Sequence, residues 1–281
     1  MISTGSELRT ALGHARRLGR DVEFVPTMGA FHEGHLELMR RARRHEGLLV
    51  VSIFVNPTQF GPGEDFDSYP RTLKSDIAAA RNEGVDLVFA PDTAEMYPGG
   101  RLETSVDVGA IGRILEGRFR PEHFAGVATV CAKLFNLVEP DRVYLGQKDA
   151  QQLAVLSQMA ADLNFGLQIV ACPTVREADG LAMSSRNGRL SPDERRQAVA
   201  LSDALHHMVQ QARQGEIDTA RLREQGRKLI ARQAAVDLQY LEIVDRGTFE
   251  SLDRLTDDAL AVVAAIVGPV RLIDNAFVGT A

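Results

Sequence analysis

Residues 27–35 read Thr-Met-Gly-Ala-Phe-His-Glu-Gly-His and indicate a strand–turn–helix unit near the beginning of the chain. The apolar run 22–26 comes just before them and predicts a short buried strand. Residues 36–42 follow with apolar side chains three and four positions apart, which predicts a helix. The segment therefore lies on the turn between them, where Gly29 and Gly34, which lack a Cβ, allow backbone and ligand to approach closely.

The two histidines of this segment suggest chemistry on a phosphate. His32 and His35 are three positions apart, so on the first helical turn we expect them to face the same way. A helix N-terminus presents free N–H groups and the positive end of the helix dipole, and two imidazoles can donate hydrogen bonds to a phosphoryl oxygen. The alternatives are two unrelated surface histidines, or a zinc site, which lacks a third and fourth ligand at useful spacing.

Strand-like and helix-like segments alternate through the first part of the chain. Helices are predicted at 6–17, 72–83, 124–138 and 150–163, and strands at 48–55, 87–90, 143–145 and 167–172. The run 48–55 is almost continuously apolar, which is typical of a strand buried on both faces of a parallel sheet. This alternation predicts right-handed crossovers and a parallel α/β sheet in a first domain, residues 1–175.

The pattern changes near residue 175. Long helices are predicted at 191–214 and 219–233, and strands at 238–244, 259–267 and 270–274. Ser191 is followed by Pro192, Asp193 and Glu194, which together form a helix start with a capping serine and an acidic first turn. Helices followed by strands predict a smaller α+β domain, residues 176–281.

Composition limits the partners. The 281 residues are 44% hydrophobic and 25% charged, as in a soluble globular protein, and the formal charge of 32 − 38 = −6 argues against a nucleic-acid partner. We find no signal-peptide pattern and no apolar run approaching the ~20 residues of a membrane span. Cys131 and Cys172 lie in apolar runs and are expected to be reduced core residues. We therefore expect a cytoplasmic protein with no membrane or nucleic-acid partner.

Amide side chains follow the second predicted strand. Asn56 and Gln59 stand in the sequence Asn-Pro-Thr-Gln-Phe-Gly, and in open α/β sheets ligands bind beyond the carboxyl ends of the strands. Both amides are candidates to hydrogen-bond a hydroxyl or a carboxylate of a substrate. The alternative is an ordinary turn, because Asn-Pro favours turns.

A charged turn follows the strand at 143–145. Lys148 lies beside a glycine and a helix start, which suits phosphate, and Asp149 is a candidate ligand, direct or through water, for Mg²⁺ on a nucleotide. Gln152 lies one turn into the helix and is expected to face the same cavity as Gln59. The alternative is an exposed ion pair with a capping aspartate.

Residues 183–187, Met-Ser-Ser-Arg-Asn, lie between the two predicted domains, after Asp179 and Gly180. Two hydroxyls and an arginine on a loop can wrap a polyphosphate and close after the substrate binds. The alternative is a polar linker. Together with the His-x-Gly-His segment, this loop resembles the paired signatures of the nucleotidyltransferase superfamily that includes class I aminoacyl-tRNA synthetases.

Six blocks make the resemblance specific. Besides residues 27–35, they are Asn-Pro-Thr-Gln-Phe at 56–60, Tyr-Pro-Arg-Thr at 69–72, His-Phe-Ala-Gly-Val at 123–127, Gly-Gln-Lys-Asp at 146–149, and residues 176–187. In order and spacing they resemble the pantothenate synthetase family, across most of residues 22–190. The last ~90 residues resemble that family more in layout than in motif.

The resemblance implies an ATP- and Mg²⁺-dependent ligase that joins D-pantoate to β-alanine in pantothenate biosynthesis and releases AMP and pyrophosphate through an enzyme-bound pantoyl adenylate. It implies a Rossmann-like nucleotide-binding domain, a smaller C-terminal domain that partly covers the site, and a cytoplasmic homodimer. It assigns a proton-donor role to His35, places His32 and Lys148 beside it as catalytic residues, and gives Gln59, Gln152 and Asn56 to pantoate. Asp149 remains the candidate metal ligand.

The same resemblance assigns the nucleotide contacts. The residues concerned are Met28, Gly29, Ala30, Phe31, His32, Glu33, Gly34, His35, Gly146, Gln147, Lys148, Asp149, Val175, Met183, Ser184, Ser185 and Arg186.

Some points depart from the family or stay open. The family often has Leu or Ala where Phe31 stands, and we expect packing to absorb the difference. Asp76 is expected to be an exposed carboxylate, although helical phase could bring it toward the site. Another His-x-Gly-His nucleotidylyltransferase and a non-catalytic nucleotide-binding protein are the alternatives, and the negative charge disfavours a tRNA synthetase.

Overall fold

The structure, a computed structural model, describes residues 1–100 and 102–279. The described part contains eight strands and nine helices, and the chain divides into two compact units. The first unit comprises residues 1–147 and 155–172, and the second comprises residues 148–154 and 173–281.

The first unit is built on a five-stranded parallel sheet in the order β3-β2-β1-β4-β5. Its strands are Val22–Thr27 (β1), Leu48–Ile53 (β2), Leu87–Phe89 (β3), Arg142–Gly146 (β4) and Gln168–Cys172 (β5). The α/β prediction with a parallel, Rossmann-like sheet is confirmed. The strand order reverses between β1 and β4, so the carboxyl ends of these two strands form the point where ligands bind in open α/β sheets.

Helices cover the sheet. They are Gly5–Arg17 (α1), Glu33–Arg43 (α2), Leu73–Asn82 (α3), Thr93–Met96 (α4), Glu116–Phe119 (α5), His123–Val138 (α6) and Ala150–Asp162 (α7), of which α7 begins in the second unit. A buried cluster that includes Val25, Met39 and Ala80 joins β1, α2 and α3. Helix α6 packs on β1 and on α1. Burial of these apolar faces fixes the turns at the strand ends.

The second unit is a small α+β domain. Helices Pro192–Arg213 (α8) and Thr219–Ile230 (α9) pack on an antiparallel sheet of Val236–Asp245 (β6), Ala259–Val267 (β7) and Val270–Phe277 (β8). Ser191 caps α8 and forms a capping box with Glu194, as predicted from the sequence. Strand β8 extends beyond the predicted end at 274, since its ladder with β7 continues to the Leu260–Phe277 pair.

Both cysteines are buried and free, and no helix in residues 1–100 and 102–279 is long and apolar enough to cross a bilayer.

Candidate active site

The segment 29–35, here called the histidine turn, follows β1 directly. The backbone turns through Gly29 at φ 83° and Ala30 at φ 52°, and both values lie in the left-handed region. For a residue with a Cβ this conformation costs roughly 1–2 kcal/mol, so Ala30 adopts it only because other contacts hold it there. Thr27 begins the turn by donating its hydroxyl to Ser52 O at 2.6 Å and accepting the Gly29 N–H at 3.2 Å.

A buried aspartate holds the middle of the turn. Asp76 on α3 is only 3% exposed, and its carboxylate accepts the N–H groups of Ala30 at 3.0 Å and Phe31 at 2.9 Å. The Thr72 hydroxyl donates a third hydrogen bond to it at 3.0 Å. The expectation that Asp76 is an exposed carboxylate is therefore wrong. Asp76 lies four residues before the buried Ala80, so the two face the same side of α3. This spacing was the sequence signal that Asp76 is buried.

The histidines complete the turn with their own side chains. His32 is the N-cap of α2, and its Nδ1 accepts the Gly34 N–H at 3.2 Å, while Nδ1 of His35 accepts the His32 N–H at 3.3 Å. His32 thus precedes the first helical turn, contrary to the expectation that both histidines lie on it. The two rings nevertheless lie side by side, with centroids 4.2 Å apart.

These contacts change how the turn can meet a phosphate. The N–H groups of residues 29–32 and 34 are bonded within the protein, and the expectation that the helix start binds phosphate stays a prediction. Because Nδ1 of each imidazole accepts a backbone N–H, the neutral ring carries its proton on Nε2. In this tautomer Nε2–H is the hydrogen-bond donor of each ring.

The amide of Gln59 is held in place beside the histidine turn. Gln59 lies at the end of the 3₁₀ turn Pro57–Gln59 and is 8% exposed. Its Oε1 accepts a hydrogen bond from Asn56 Nδ2 at 3.1 Å, and its Nε2 contacts Met28 Sδ at 3.0 Å. This contact joins the predicted substrate amide to Met28, the residue just before the histidine turn.

Asn56 itself is occupied within the protein. It is 1% exposed, its Oδ1 accepts from Thr58 N, Thr58 Oγ1 and Tyr97 Oη, and its Nδ2 also donates to Gly126 O. An amide has two donor hydrogens and two acceptor lone pairs, and these contacts use that capacity. The expectation that Asn56 binds substrate is therefore replaced by a role in orienting Gln59.

The backbone of Gln59 is fixed from α5 and α6. His123 Nδ1 lies 3.0 Å from the Gln59 carbonyl oxygen, and Arg120 contacts both His123 and Glu64. Burial, with the nearby Arg120 charge, lowers the pKa of His123 to about 4, so the ring is neutral near pH 7. Nδ1 then carries the hydrogen that the Gln59 carbonyl accepts, and Nε2 accepts from Arg120.

Helix α6 approaches this segment through Gly126. A Cβ added there would lie 2.3 Å from the carbonyl oxygen of Thr58, so backbone meets backbone without an intervening side chain. In the sequence, Gly126 and His123 stand out only as members of the block at 123–127 that resembles the family, and the sequence alone gives them no role.

A pocket of about 290 Å³ opens in the first unit at the carboxyl ends of β1, β2 and β3. Its lining includes Met28, Phe54, Arg71, Thr72 and Asp76. Gly146 ends β4 on the other side of the point where the strand order reverses, and Gln147 begins the 3₁₀ turn that follows, which agrees with their predicted place at a strand end.

The remaining predicted residues lie in the second unit. The carbonyl of Lys148 accepts Asn275 Nδ2 at 2.9 Å, and its ammonium lies 3.7 Å from the half-exposed Asp149 carboxylate. Gln152 follows on the first turn of α7.

The loop of residues 183–187, the serine–arginine loop, is anchored at both ends. The N–H of Met183 donates to the Val175 carbonyl at 3.0 Å, and Asn187, 5% exposed, donates its amide to Glu177 and to the Ala182 carbonyl. Ser184 Oγ accepts the N–H of Arg186 at 3.3 Å. The backbone path between Met183 and Asn187 is thereby fixed in the unit that also holds Lys148.

No group of three or more His, Cys, Asp or Glu side chains suited to a metal ion occurs in residues 1–100 and 102–279. A zinc site at the histidine turn is therefore not supported. A single carboxylate such as Asp149 fits Mg²⁺, which proteins often bind through one or two carboxylates together with substrate phosphates.

Comparisons with known proteins agree with this arrangement. The chain matches the family profile described as pantoate-beta-alanine ligase over residues 1–277. The pantothenate synthetase of Pelotomaculum thermopropionicum is 50% identical over 277 residues, which cover 99% of this chain and 98% of that one.

Two solved structures are similar over the whole chain. The crystal structure of pantothenate synthetase from Thermus thermophilus matches with a TM-score of 0.94 and 47% identity, covering 99% of each chain. That of the pantoate-beta-alanine ligase from Francisella tularensis, complexed with beta-gamma ATP and beta-alanine, matches with a TM-score of 0.81 and 32% identity, covering 100% of this chain and 99% of that one. The chain, with its parallel sheet, histidine turn and serine–arginine loop, therefore belongs to the pantoate–β-alanine ligase family.

Proposed function

We propose that this enzyme condenses D-pantoate with β-alanine in two steps through a bound pantoyl adenylate. In the first step a pantoate carboxylate oxygen attacks the α-phosphorus of ATP, and the bond from that phosphorus to pyrophosphate breaks. In the second step the β-alanine amine attacks the activated carbonyl, the bond to AMP breaks, and the nitrogen loses a proton. The products are pantothenate, AMP and pyrophosphate.

The observation that carries this proposal is the contact between Gln59 and Met28. It joins a fixed amide, suited to a hydroxyl or carboxylate, to the residue just before the histidine turn, whose two imidazoles suit a phosphoryl group. A nucleotidylyltransferase acting on a phosphate substrate has no need of this amide. A fixed geometry lowers the barrier because the reacting groups need not be ordered during the reaction.

The histidines stabilise the first transition state. Negative charge grows on the α-phosphate oxygens and on the leaving pyrophosphate, and Nε2–H of His32 and His35 can donate to these oxygens. His35 has the proton-donor role that the family resemblance assigns to it.

Lys148, Ser184, Ser185 and Arg186 bind the phosphates of ATP. The ammonium and guanidinium groups neutralise the charge of the pyrophosphate that leaves. Val175 contacts the nucleotide through its backbone, and Gln152 shares pantoate with Gln59. These assignments follow the family resemblance, supported by the anchored backbones of Lys148 and of the serine–arginine loop.

Mg²⁺ would be held by Asp149 together with the ATP phosphates. When bound, it supplies positive charge that stabilises the departing pyrophosphate. The chain's own residues orient the carboxylate and exclude water from the adenylate.

We further propose a cytoplasmic homodimer, on the family resemblance and on two buried free cysteines, which suit a reducing compartment. Sedimentation equilibrium tests the dimer, and a mass of one chain would contradict it.

The decisive experiment measures pyrophosphate release with each substrate omitted in turn. With ATP, Mg²⁺ and D-pantoate but no amine, we expect about one pyrophosphate per active site and then a stall, because the closed site protects the mixed anhydride from water. Adding β-alanine should release AMP and start turnover. Folded protein that releases no pantoate-dependent pyrophosphate would refute the proposal.

A further inference from the structure

The histidine turn is held by a carboxylate that the reaction itself does not require. Asp76 lies on α3 and reaches the turn from more than forty residues along the chain. Its partners are two backbone N–H groups and the Thr72 hydroxyl, and no ion pair to a Lys, Arg or His is found for it within residues 1–100 and 102–279. A buried carboxylate with this donor set is stabilised by the turn itself.

The two N–H groups that Asp76 accepts belong to the strained residue and to the residue that follows it. Ala30 is in the left-handed region, and Phe31 is the last residue before the cap of α2. Once these two N–H groups are fixed, the direction in which the chain enters α2 is fixed as well. That direction determines where the His32 and His35 rings lie.

Steric contacts also restrict the backbone at Gly29. A Cβ added to Gly29 would lie 3.0 Å from Asp76 Oδ2 and 3.1 Å from Ile53 Cγ2. The carboxylate is thus packed against the backbone of the turn, and both of its oxygens accept N–H groups of the protein.

We propose that Asp76 is a positioning residue, which sets the direction of both imidazoles by holding the left-handed turn at Ala30 and Phe31. The inference rests on the proposed function, because the imidazoles matter only if they meet the phosphates. It assigns to α3 a part in adenylate formation through the backbone of the turn.

Asp76→Asn is the first test. The side chain keeps its shape, but one acceptor oxygen is replaced by an NH₂ group that faces a donor, so one hydrogen bond to the turn is lost. We expect pantoate-dependent pyrophosphate release to slow roughly 10- to 100-fold, in line with the loss of a hydrogen bond to a charged group. The concentrations of ATP and pantoate needed for half the maximal rate should change little.

Histidine-ring nitrogen NMR provides a readout that does not depend on activity. In the wild-type enzyme His32 and His35 should show an unprotonated Nδ1 and a protonated Nε2. In Asp76→Asn both signals should shift or broaden, while that of the exposed His206 should not. Unchanged His32 and His35 signals alongside a slow enzyme would overturn the positioning role.

Two further variants grade the effect. Thr72→Val removes the hydroxyl bond but leaves both bonds to the turn, so its loss of rate should be clearly smaller than that of Asp76→Asn. Asp76→Glu keeps the charge and should restore part of the rate. If Asp76→Asn does not fold, the Glu variant takes its place in the NMR experiment.

The outcomes distinguish a failure of the positioning role of Asp76 from a failure of the proposed function. A wild-type enzyme without pantoate-dependent pyrophosphate release would refute the proposed function. An active wild-type enzyme with an equally fast Asp76→Asn variant would refute only the positioning role. Recovery of the variant at high Mg²⁺ concentration would also refute it, since it would make Asp76 a metal ligand.

Discussion

The two units hold their predicted site residues in different ways. In the first unit the reactive side chains are themselves fixed: both imidazoles accept backbone N–H groups, and the Gln59 amide is held by Asn56. In the second unit, Lys148 and Met183 are held by their backbone groups: the Lys148 carbonyl accepts from Asn275, and the Met183 N–H donates to Val175. The first arrangement suits groups that must meet a transition state in one geometry. The second suits cations that follow a flexible polyphosphate.

This difference predicts where kinetic losses appear. Changes in the first unit should lower the rate at saturating substrate, whereas changes in the second should raise the substrate concentration that is needed.

The largest effect is expected at His35. His35→Ala removes a positioned proton donor, so the rate of adenylate formation at saturating ATP should fall roughly 100- to 10,000-fold. The measurement is single-turnover pyrophosphate release. His206→Ala, at an exposed position of α8, is the matched control and should behave as wild type. A rate near wild type for His35→Ala would remove His35 from the chemistry.

The next largest effect concerns the free energy of unfolding and involves a residue of the first unit, His123. His123 has a pKa of about 4 in the folded protein, below its ordinary 6.5. Between these pH values the unfolded chain binds more protons, so the free energy of unfolding should decrease by up to about 3 kcal/mol as the pH falls from 6.5 toward 4. Above pH 6.5 the His123 contribution is fully present.

Urea unfolding of wild type and His123→Gln across this pH range isolates the contribution, because the other titrating groups are common to both proteins. The difference between the two should depend on pH. Identical pH profiles would show that the neutral His123 ring does not stabilise the Gln59 segment.

Lys148→Ala tests the second unit. Loss of a charged donor to phosphate should raise the ATP concentration for half-maximal adenylation about 10- to 100-fold. The attack of β-alanine on preformed adenylate should be less affected, as pyrophosphate has already left. Lys228→Ala, an exposed lysine of α9, is the control. Equal losses in both half-reactions would count against a phosphate role for Lys148.

The smallest effect should separate the two glutamines. An unpaired polar group of the substrate costs about 1–3 kcal/mol, so Gln152→Ala should raise the pantoate requirement about tenfold and leave that for ATP unchanged. Gln59→Ala should also lower the maximal rate, since Gln59 contacts Met28. Gln158→Ala on the same helix is the control for Gln152. If both glutamine variants lose only pantoate affinity, the contrast between the units fails.

Local patterns predicted most of the fold. Strand β7 was predicted with its observed bounds, and α8 begins at the predicted cap. Helix α2 was expected to include both histidines in its first turn, but it begins at Glu33, because the His32 side chain serves as its cap. The usual capping residues are Ser, Thr, Asp and Asn, so this start has no ordinary sequence signal.

The site was harder to predict because its geometry depends on contacts between distant segments. The burial of Asp76 follows from its bonds to a turn far earlier in the chain, and Asn56 is saturated by Tyr97 and Gly126. The assignment of residues 148–154 to the second unit is likewise invisible in local periodicity. Motifs predicted which residues belong to the site, but not which ones hold the others in place.

The close approach of α6 to the Gln59 segment limits how this sequence can vary. Since a Cβ at position 126 would meet the Thr58 carbonyl, the overlap is with main chain, which no change of neighbouring side chains can remove. In saturation mutagenesis we therefore expect no replacement at position 126 to give folded, active enzyme. Where two side chains are in contact, by contrast, a second substitution can compensate for the first. A residue without a side chain therefore restricts which sequences can form the Gln59 segment.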